Sequence, residues 1–367
     1  MRPLTLTSVL LAAVVAIAPA RAQGGAARVK GVKKAAKEAK ADSTHKAFKL
    51  SPFWESSAPL ELTLTINIDR VKKERDKAKA TWHVASVSYT DGGKTDTIPA
   101  RVRTRGISRL KICTLIPPLW VDFASEDTKK TTFARLNRFK LVSPCKPQSE
   151  YEKYVVEEYN LYRVHALLMP IGHLARLVHM TVVDSASNKP DFTRYAFALE
   201  DVSDMAARLG GKNMAIKGAV ADDLDRRQTA MVGLFQFMIG NTDWSIYALH
   251  NDDILSIGAG LFPVDYDYDQ AGVIAPPYAV TDPQLGIRSV KERLYRGFCL
   301  PADTVNKAIA DIQSRKAAVM ALYTDDIGKL MGNGAGDSMH WFDDVFKDLS
   351  DSRFVKNEII GKCREVR

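Results

Sequence analysis

Three carboxylates at alternate positions, Asp265, Asp267 and Asp269, and an upstream acidic turn, Asn241-Thr242-Asp243, are the residues of this chain best suited to chemistry. His250-Asn251 lies between them, and Pro263-Val264 leads into the first of the three aspartates. In an extended segment, alternation puts 265, 267 and 269 on one face. Like charges that close repel unless a cation or basic group offsets them, so a divalent-metal site and a solvated acidic turn are the two readings. Magnesium suits such a set, being a hard ion that prefers oxygen ligands. An EF-hand is excluded, because a loop opened by Asp265 has Gln270 at its sixth position and Pro276 at its twelfth, where glycine and glutamate belong. Taken singly, Asp243 also reads as a turn residue and His250 as a structural hydrogen-bonding histidine.

These residues need elements to hold them. The apolar run Met231 to Ile239 ends at Gly240, so a helix over 225–239 delivers the Asp243 turn, and a short apolar strand delivers Asp265. Upstream, Leu60 to Ile68 alternates apolar and polar residues with period two. Trp82 to Tyr89 and Thr97 to Arg103 do the same around Asp91-Gly92-Gly93, and Leu119 to Phe123 and Phe139 to Val142 add shorter strands. An antiparallel sheet is the economical arrangement. Between 152 and 168, Tyr154, Val155, Glu158, Leu161, Tyr162, His165 and Leu168 follow helical steps until Pro170. Strands over 175–183 and 194–199 follow, then helices over 202–209 and 225–239. The segment from Ser289 onward reads as largely helical with breaks at Gly332 to Gly336. Strands first and helices after give an α+β order.

The formal charge of +9 is concentrated near the N-terminus. Residues 24–50 carry eight basic and two acidic side chains, so the body after residue 50 is nearly neutral and a nucleic-acid partner is not expected. Residues 1–22 read as a signal peptide: Arg2, an apolar run Leu6 to Ile17, and Ala20-Arg21-Ala22 as the cleavage site. Residues 23–55 then read as a basic linker, and no transmembrane helix is expected after cleavage. Cys113, Cys145, Cys299 and Cys363 suit two disulfides in a secreted or envelope compartment; of the three connectivities, which sequence alone does not decide, Cys113–Cys145 and Cys299–Cys363 is preferred because each pair falls within one half of the chain. No CxxC or HxxxH pattern favours zinc.

In order and type, the site motifs resemble those of the spore-coat CotH-type kinases, a secreted or surface branch of the protein-kinase-like fold. That family carries Asn-x-Asp and His-Asn after a helix, then Pro-Trp-Asp-x-Asp after a strand. This chain reads Asn241-Thr242-Asp243, His250-Asn251 and Pro263-Val264-Asp265-Tyr266-Asp267. Arg105-Gly106-Ile107-Ser108-Arg109 is similar to the family's Arg-Gly-Asn-Ser turn, although the following strand has Ile116-Pro117-Pro118-Leu119 where a lysine is expected. The resemblance covers about residues 100–275. It implies a two-lobed, protein-kinase-like α+β fold, with an antiparallel β-rich N-terminal lobe at 56–201 and a mainly helical C-terminal lobe at 202–367. It further implies transfer of the ATP γ-phosphoryl group to protein Ser/Thr hydroxyls with magnesium or manganese. Asp243 would be the catalytic aspartate, with Asn251, Asp265 and Asp267 on the metal. Lys140 would replace the missing phosphate-binding lysine, Glu158 would be its ion-pair partner, and Glu200 would sit at the adenine hinge. The alternative is a catalytically inactive envelope protein that binds a protein partner or a divalent ion. One further segment is dense in cations: Arg288, Lys291, Arg293 and Arg296, to be spent either on the Asp265–Asp269 carboxylates or on substrate phosphate.

Overall fold

The computed structural model describes residues 48–366, so the expected signal peptide and residues 23–47 of the basic linker lie outside the described residues. Pro52–Glu55 forms a helical turn capped by Ser51, and it buries Phe53 against Phe133 and Phe139.

Seven strands close into a barrel in the order β1-β2-β3-β4-β5-β7-β6. They are β1 (Leu60–Ile66), β2 (His83–Asp91), β3 (Lys94–Thr104), β4 (Leu119–Asp122), β5 (Arg138–Val142), β6 (Ala175–Asp184) and β7 (Lys189–Glu200). Period-two alternation sends Leu62, Leu64 and Ile66 inward, where they meet Val87, Val102, Val121, Phe139 and Val182. All neighbouring pairs are antiparallel except the one that closes the ring, in which β1 runs parallel to β6 with Leu64 opposite Val182. A second, three-stranded sheet joins β8 (Gly211–Asn213), β9 (Asp252–Ile257) and β10 (Gly260–Asp265).

This architecture corrects the expected fold. A closed, mixed seven-stranded barrel with accompanying helices is not the two-lobed protein-kinase-like arrangement with an antiparallel N-terminal sheet. The physical reason is that periodicity reports which face of a strand is buried but neither its partner nor its direction. The parallel closure of β1 on β6 is made over more than a hundred residues and leaves no local signature. Within the second half, the strand expected to deliver Asp265 is β10, and β8 and β9 pair beside it.

The second core surrounds α2 (Glu150–Leu168) and α4 (Arg226–Ile239), with α5 (Ala302–Gln313) and α6 (Asn333–Ser350) packed about them. The shorter α1 (Ser108–Ile112) follows β3, and α3 (Val202–Arg208) packs Met205 and Ala206 against Leu255 of β9 and Val264 of β10. Helix α4 is buried from Gln228 through Ile239, so it is apolar nearly all round. Asp225 caps its N-terminus, and Gly240, at φ 68°, ends it in the left-handed region. A Cβ at Gly240 would lie 2.7 Å from Trp341, so glycine is required both for the turn and for this close approach. The expected breaks at 332–336 reduce to one: Gly332 precedes α6, while Gly334 and Gly336 lie inside it.

Both disulfides form as expected, Cys113–Cys145 and Cys299–Cys363, closing separations of 32 and 64 residues. Among the described residues no helix is long and apolar enough to cross a membrane.

Candidate functional site

Three elements bring the expected residues together. The turn after α4 carries Asp243, the start of β9 follows His250-Asn251, and the end of β10 carries Asp265. Asn241 Oδ1 accepts from the Asp243 amide at 3.0 Å, fixing the turn. Asn251 Nδ2 donates to the Asp243 carbonyl at 2.7 Å and to its Oδ2 at 3.3 Å, and His250 Nε2 is 2.7 Å from Oδ1. The Asn251 carbonyl accepts from the Tyr266 amide at 3.0 Å, which ties this loop to the residue after Asp265.

Asp265 is 1% exposed and sits between two helices. His165 Nε2 of α2 is 3.1 Å from its Oδ1, and Gln236 Nε2 of α4 donates to its Oδ2 at 2.8 Å. Because an ionised carboxylate only accepts, the His165 proton on that bond belongs to Nε2. The ring is crowded into place, for a Cβ at Gly172 would fall 2.2 Å from His165 Cε1. Across the β9–β10 pair Asp252 faces Asp265, and burial, followed by the Asp265 carboxylate, pushes Asp252 well above the usual carboxylate range. The next two positions differ in what holds them. The Asp267 amide donates to Tyr162 Oη at 3.0 Å. Asp269 Oδ2 lies 3.7 Å from Arg109 Nε, and Arg109 Nη1 is 3.5 Å from Glu158 Oε2. Burial and the Asp267 charge push the Asp269 carboxyl up to about 7, with Arg109 opposing and Asp243 adding to the rise.

Lys140 of β5 is 8% exposed, 4.3 Å above the Tyr266 ring and 5.8 Å from that of Trp120. Burial and then Arg105 push its amine down to about 8, against the attraction of Asp253, Asp267 and Asp201. Lys140 therefore faces the acidic run, whereas the Glu158 carboxylate expected to pair with it lies against Arg109 instead. Glu200, at the end of β7, is taken up internally. Its carboxylate accepts from Leu174 N at 3.0 Å and from Arg208 Nε and Nη2 at 2.9 and 2.8 Å, and its carbonyl bonds His173 Nδ1 at 2.9 Å.

Backbone conformation sets this region apart. Leu249, Asn251 and Asp267 all have positive φ, at 50°, 53° and 66°. Non-glycine residues held there carry a cost of order 1–3 kcal/mol each, sustained only where the surroundings over-determine them.

Several participants were not assigned a role from sequence: His165, Gln236, Tyr162, Arg105 and Arg109. The signal for two of them was present, since His165 lies on the inward stripe of α2 and Gln236 is a lone amide in the apolar run of α4. Two of the dense cations at 288–296 are engaged away from the Asp265–Asp269 carboxylates. Arg293 pairs with Asp348, and Arg296 Nη1 donates to the carbonyls of Thr242 and Trp244.

Among the described residues no group of three or more His, Cys, Asp or Glu side chains is arranged to hold a metal ion. The donors that would serve are Asp265, Asp267 and Asn251, a partial oxygen set of the kind that magnesium completes with phosphate oxygens and water. The cation side fits an anion in turn: Arg105 Nε and Arg109 Nε are buried without a hydrogen-bond partner among the described residues. No protein-family model matches the chain and no curated protein matches it, so the resemblance to the CotH-type kinases stands on its motifs alone.

Proposed function

We propose that this chain is an exported phosphotransferase whose site binds a nucleoside triphosphate with magnesium or manganese and passes the terminal phosphoryl group to a protein hydroxyl. The observation that carries this reading is the meeting of Asp243 and Asn251 with the Asp265–Asp269 run, opposite Lys140, Arg105 and Arg109. Asp243 Oδ2 would accept the proton of the acceptor hydroxyl, held in orientation by Asn251 and His250. Lys140, and the Nε–H groups of Arg105 and Arg109, which have no hydrogen-bond partner among the described residues, would hold phosphate oxygens, Arg109 turning from its 3.7 Å ion pair with Asp269. Asp265, Asp267 and Asn251 would hold the divalent ion, which when bound offsets charge on the phosphates. Two disulfides are compatible with an oxidising compartment outside the cytoplasm, and a secreted or envelope location goes with this reading.

A second reading, a silent binder of a protein partner or divalent ion, is favoured by how completely some of these groups are engaged. Both oxygens of Asp265 and the carboxylate of Glu200 already have partners inside the protein.

Thermal unfolding and phosphate incorporation separate the two. On the first reading, ATP with magnesium or manganese at a hundred times its Kd stabilises the chain by about 2.7 kcal/mol, and radiolabel enters the chain or an added protein. Asp243→Ala abolishes incorporation while retaining the thermal shift. Metal-dependent stabilisation without any nucleotide effect selects the silent binder, and the absence of both responses removes both readings.

A further inference from the structure

The only cation of the 288–296 segment that touches the candidate site does so through the backbone. Arg296 Nη1 donates to the carbonyls of Thr242 and, at 3.2 Å, Trp244, the two residues that flank Asp243. These carbonyls lie in a turn braced by short local bonds, Asn241 Oδ1 to the Asp243 amide and the mutual pair between Ser245 and His250 at 2.8 and 3.0 Å, and tied outward further along by Gly218 N to the Tyr247 carbonyl at 2.8 Å and Tyr266 N to the Asn251 carbonyl at 3.0 Å. None of those local bonds reaches outside residues 241–251. Arg296 is thus a link from this turn to a separate part of the chain.

That part of the chain is itself fixed. The Gly297 carbonyl accepts from Arg364 N at 2.8 Å, the Cys299 amide donates to the Arg364 carbonyl at 3.1 Å, and Cys299 is bonded to Cys363. On its other side the segment lies against α4, where a Cβ at Gly233 would meet Gly297 Cα at 3.1 Å. The guanidinium is half-buried. Burial and then Arg364 push it below the usual guanidinium range, against the attraction of Asp282, Asp243 and Asp252.

We propose that Arg296 is the positioning residue of the Asp243 turn, and that the Cys299–Cys363 crosslink holds it at that station. A hydrogen bond from a charged donor is stronger than a neutral one, and the two N–H groups of Nη1 supply one donor for each carbonyl. The consequence for activity rests on the phosphotransfer reading; the mechanical link does not. Arg296 touches neither Asp243's carboxylate nor any expected ligand position, so its role is to hold the backbone that aims that carboxylate.

Hydrogen exchange of the intact chain, read peptide by peptide, tests the link without requiring activity. In Arg296→Gln the amides of 242–251 should exchange about tenfold faster or more, the loss of one charged hydrogen bond. The α4 amides of 226–239 should keep their parental rates, and Arg296→Lys should recover part of the protection. The double variant Cys299→Ser/Cys363→Ser should quicken the same 242–251 amides with Arg296 still present. Parental rates at 242–251 in Arg296→Gln overturn the proposal. So does a uniform quickening that includes α4, since it would mark a general packing role. If the parent incorporates phosphate, kcat should fall in Arg296→Gln with the nucleotide KM unchanged. A quickened turn in a parent that incorporates none leaves the clamp standing and sinks the phosphotransfer reading instead.

Discussion

Helix α2 carries two adjacent buried glutamates whose surroundings differ in kind. On the face toward the C-terminal helices, Glu157 is held by the Tyr323 hydroxyl at 3.1 Å and the Ser338 hydroxyl at 3.0 Å, both neutral. On the face toward the candidate site, Glu158 meets Arg109, which reaches on to Asp269. Burial pushes Glu157 up to about 8, with the two hydroxyls pulling the other way. Burial also drives Glu158 well above its ordinary range, but there Arg109 opposes it and Asp269 and Asp267 reinforce it. Burial alone therefore does not mark a functional carboxylate. The distinguishing feature is the charge network on the Glu158 face, which continues through Arg109, Asp269 and Asp267 to Asp243 and Lys140.

Removing the shared cation breaks this comparison most severely. Arg109→Met would leave Glu158 and Asp269 buried without their counter-charge, and the Ser143 carbonyl without its donor at 2.9 Å. Loss of one partner from a buried pair costs about 3–5 kcal/mol. Urea unfolding at neutral pH should show that loss. A cost below about 1 kcal/mol, the level of a surface pair, would mean that the Glu158 face is no more a network than the Glu157 face.

The Glu157 face is read by pH. Burial pushes its folded pKa to about 8, above the ordinary glutamate value of 4.5, so the folded state favours the protonated form. Its contribution is fully present below the unfolded pKa and is lost as pH rises through about 8. Glu157→Gln keeps a neutral group at that position and removes this titration. Between pH 5 and pH 8 the parent should lose about 3 kcal/mol that the variant keeps. Parallel stability curves for the two proteins would show that the neutral face holds a charged carboxylate after all.

The two faces also show where sequence reading reaches and where it stops. Period-two alternation located the strands, helical spacing located α2 and α4, and the left-handed Gly240 ended α4 where the apolar run stops. Sequence left three cysteine connectivities open, and the pairs formed are the two that each lie within one half of the chain. Helical spacing even placed Glu158 and His165 on the inward stripe of α2. It could not give their partners, because Arg109 and Asp265 approach from elements far away in sequence. The barrel failed to show for the same reason: β1 and β6 each read as ordinary strands, and only their long-range parallel pairing closes the ring. Arg296 was misjudged by chemistry rather than distance. A cation near carboxylates suggests an ion pair, yet its partners are two backbone carbonyls, which sequence does not distinguish from any others.

The smallest effect on stability is expected at the exposed end of the charge network, where the contrast with Glu157 is greatest. His250 and Asp243 lie 2.7 Å apart, but their side chains are 56% and 46% exposed. Water screens such a pair, and exposed pairs contribute about 0–1 kcal/mol. His250→Ala should therefore shift the urea midpoint barely at all, while Arg109→Met, at the buried end of the same network, shifts it strongly. Function should reverse that order of sensitivity. With His250 gone, Asp243 keeps Asn251 but loses one of the two side chains that orient its carboxylate. Phosphate incorporation, if the phosphotransfer reading holds, should then fall by about tenfold or more, within the range of general acid–base contributions. A variant with parental incorporation would place His250 outside the machinery and leave Asn251 alone to orient Asp243. A large loss of stability would instead mean that the exposed pair anchors the turn, a role assigned above to Arg296.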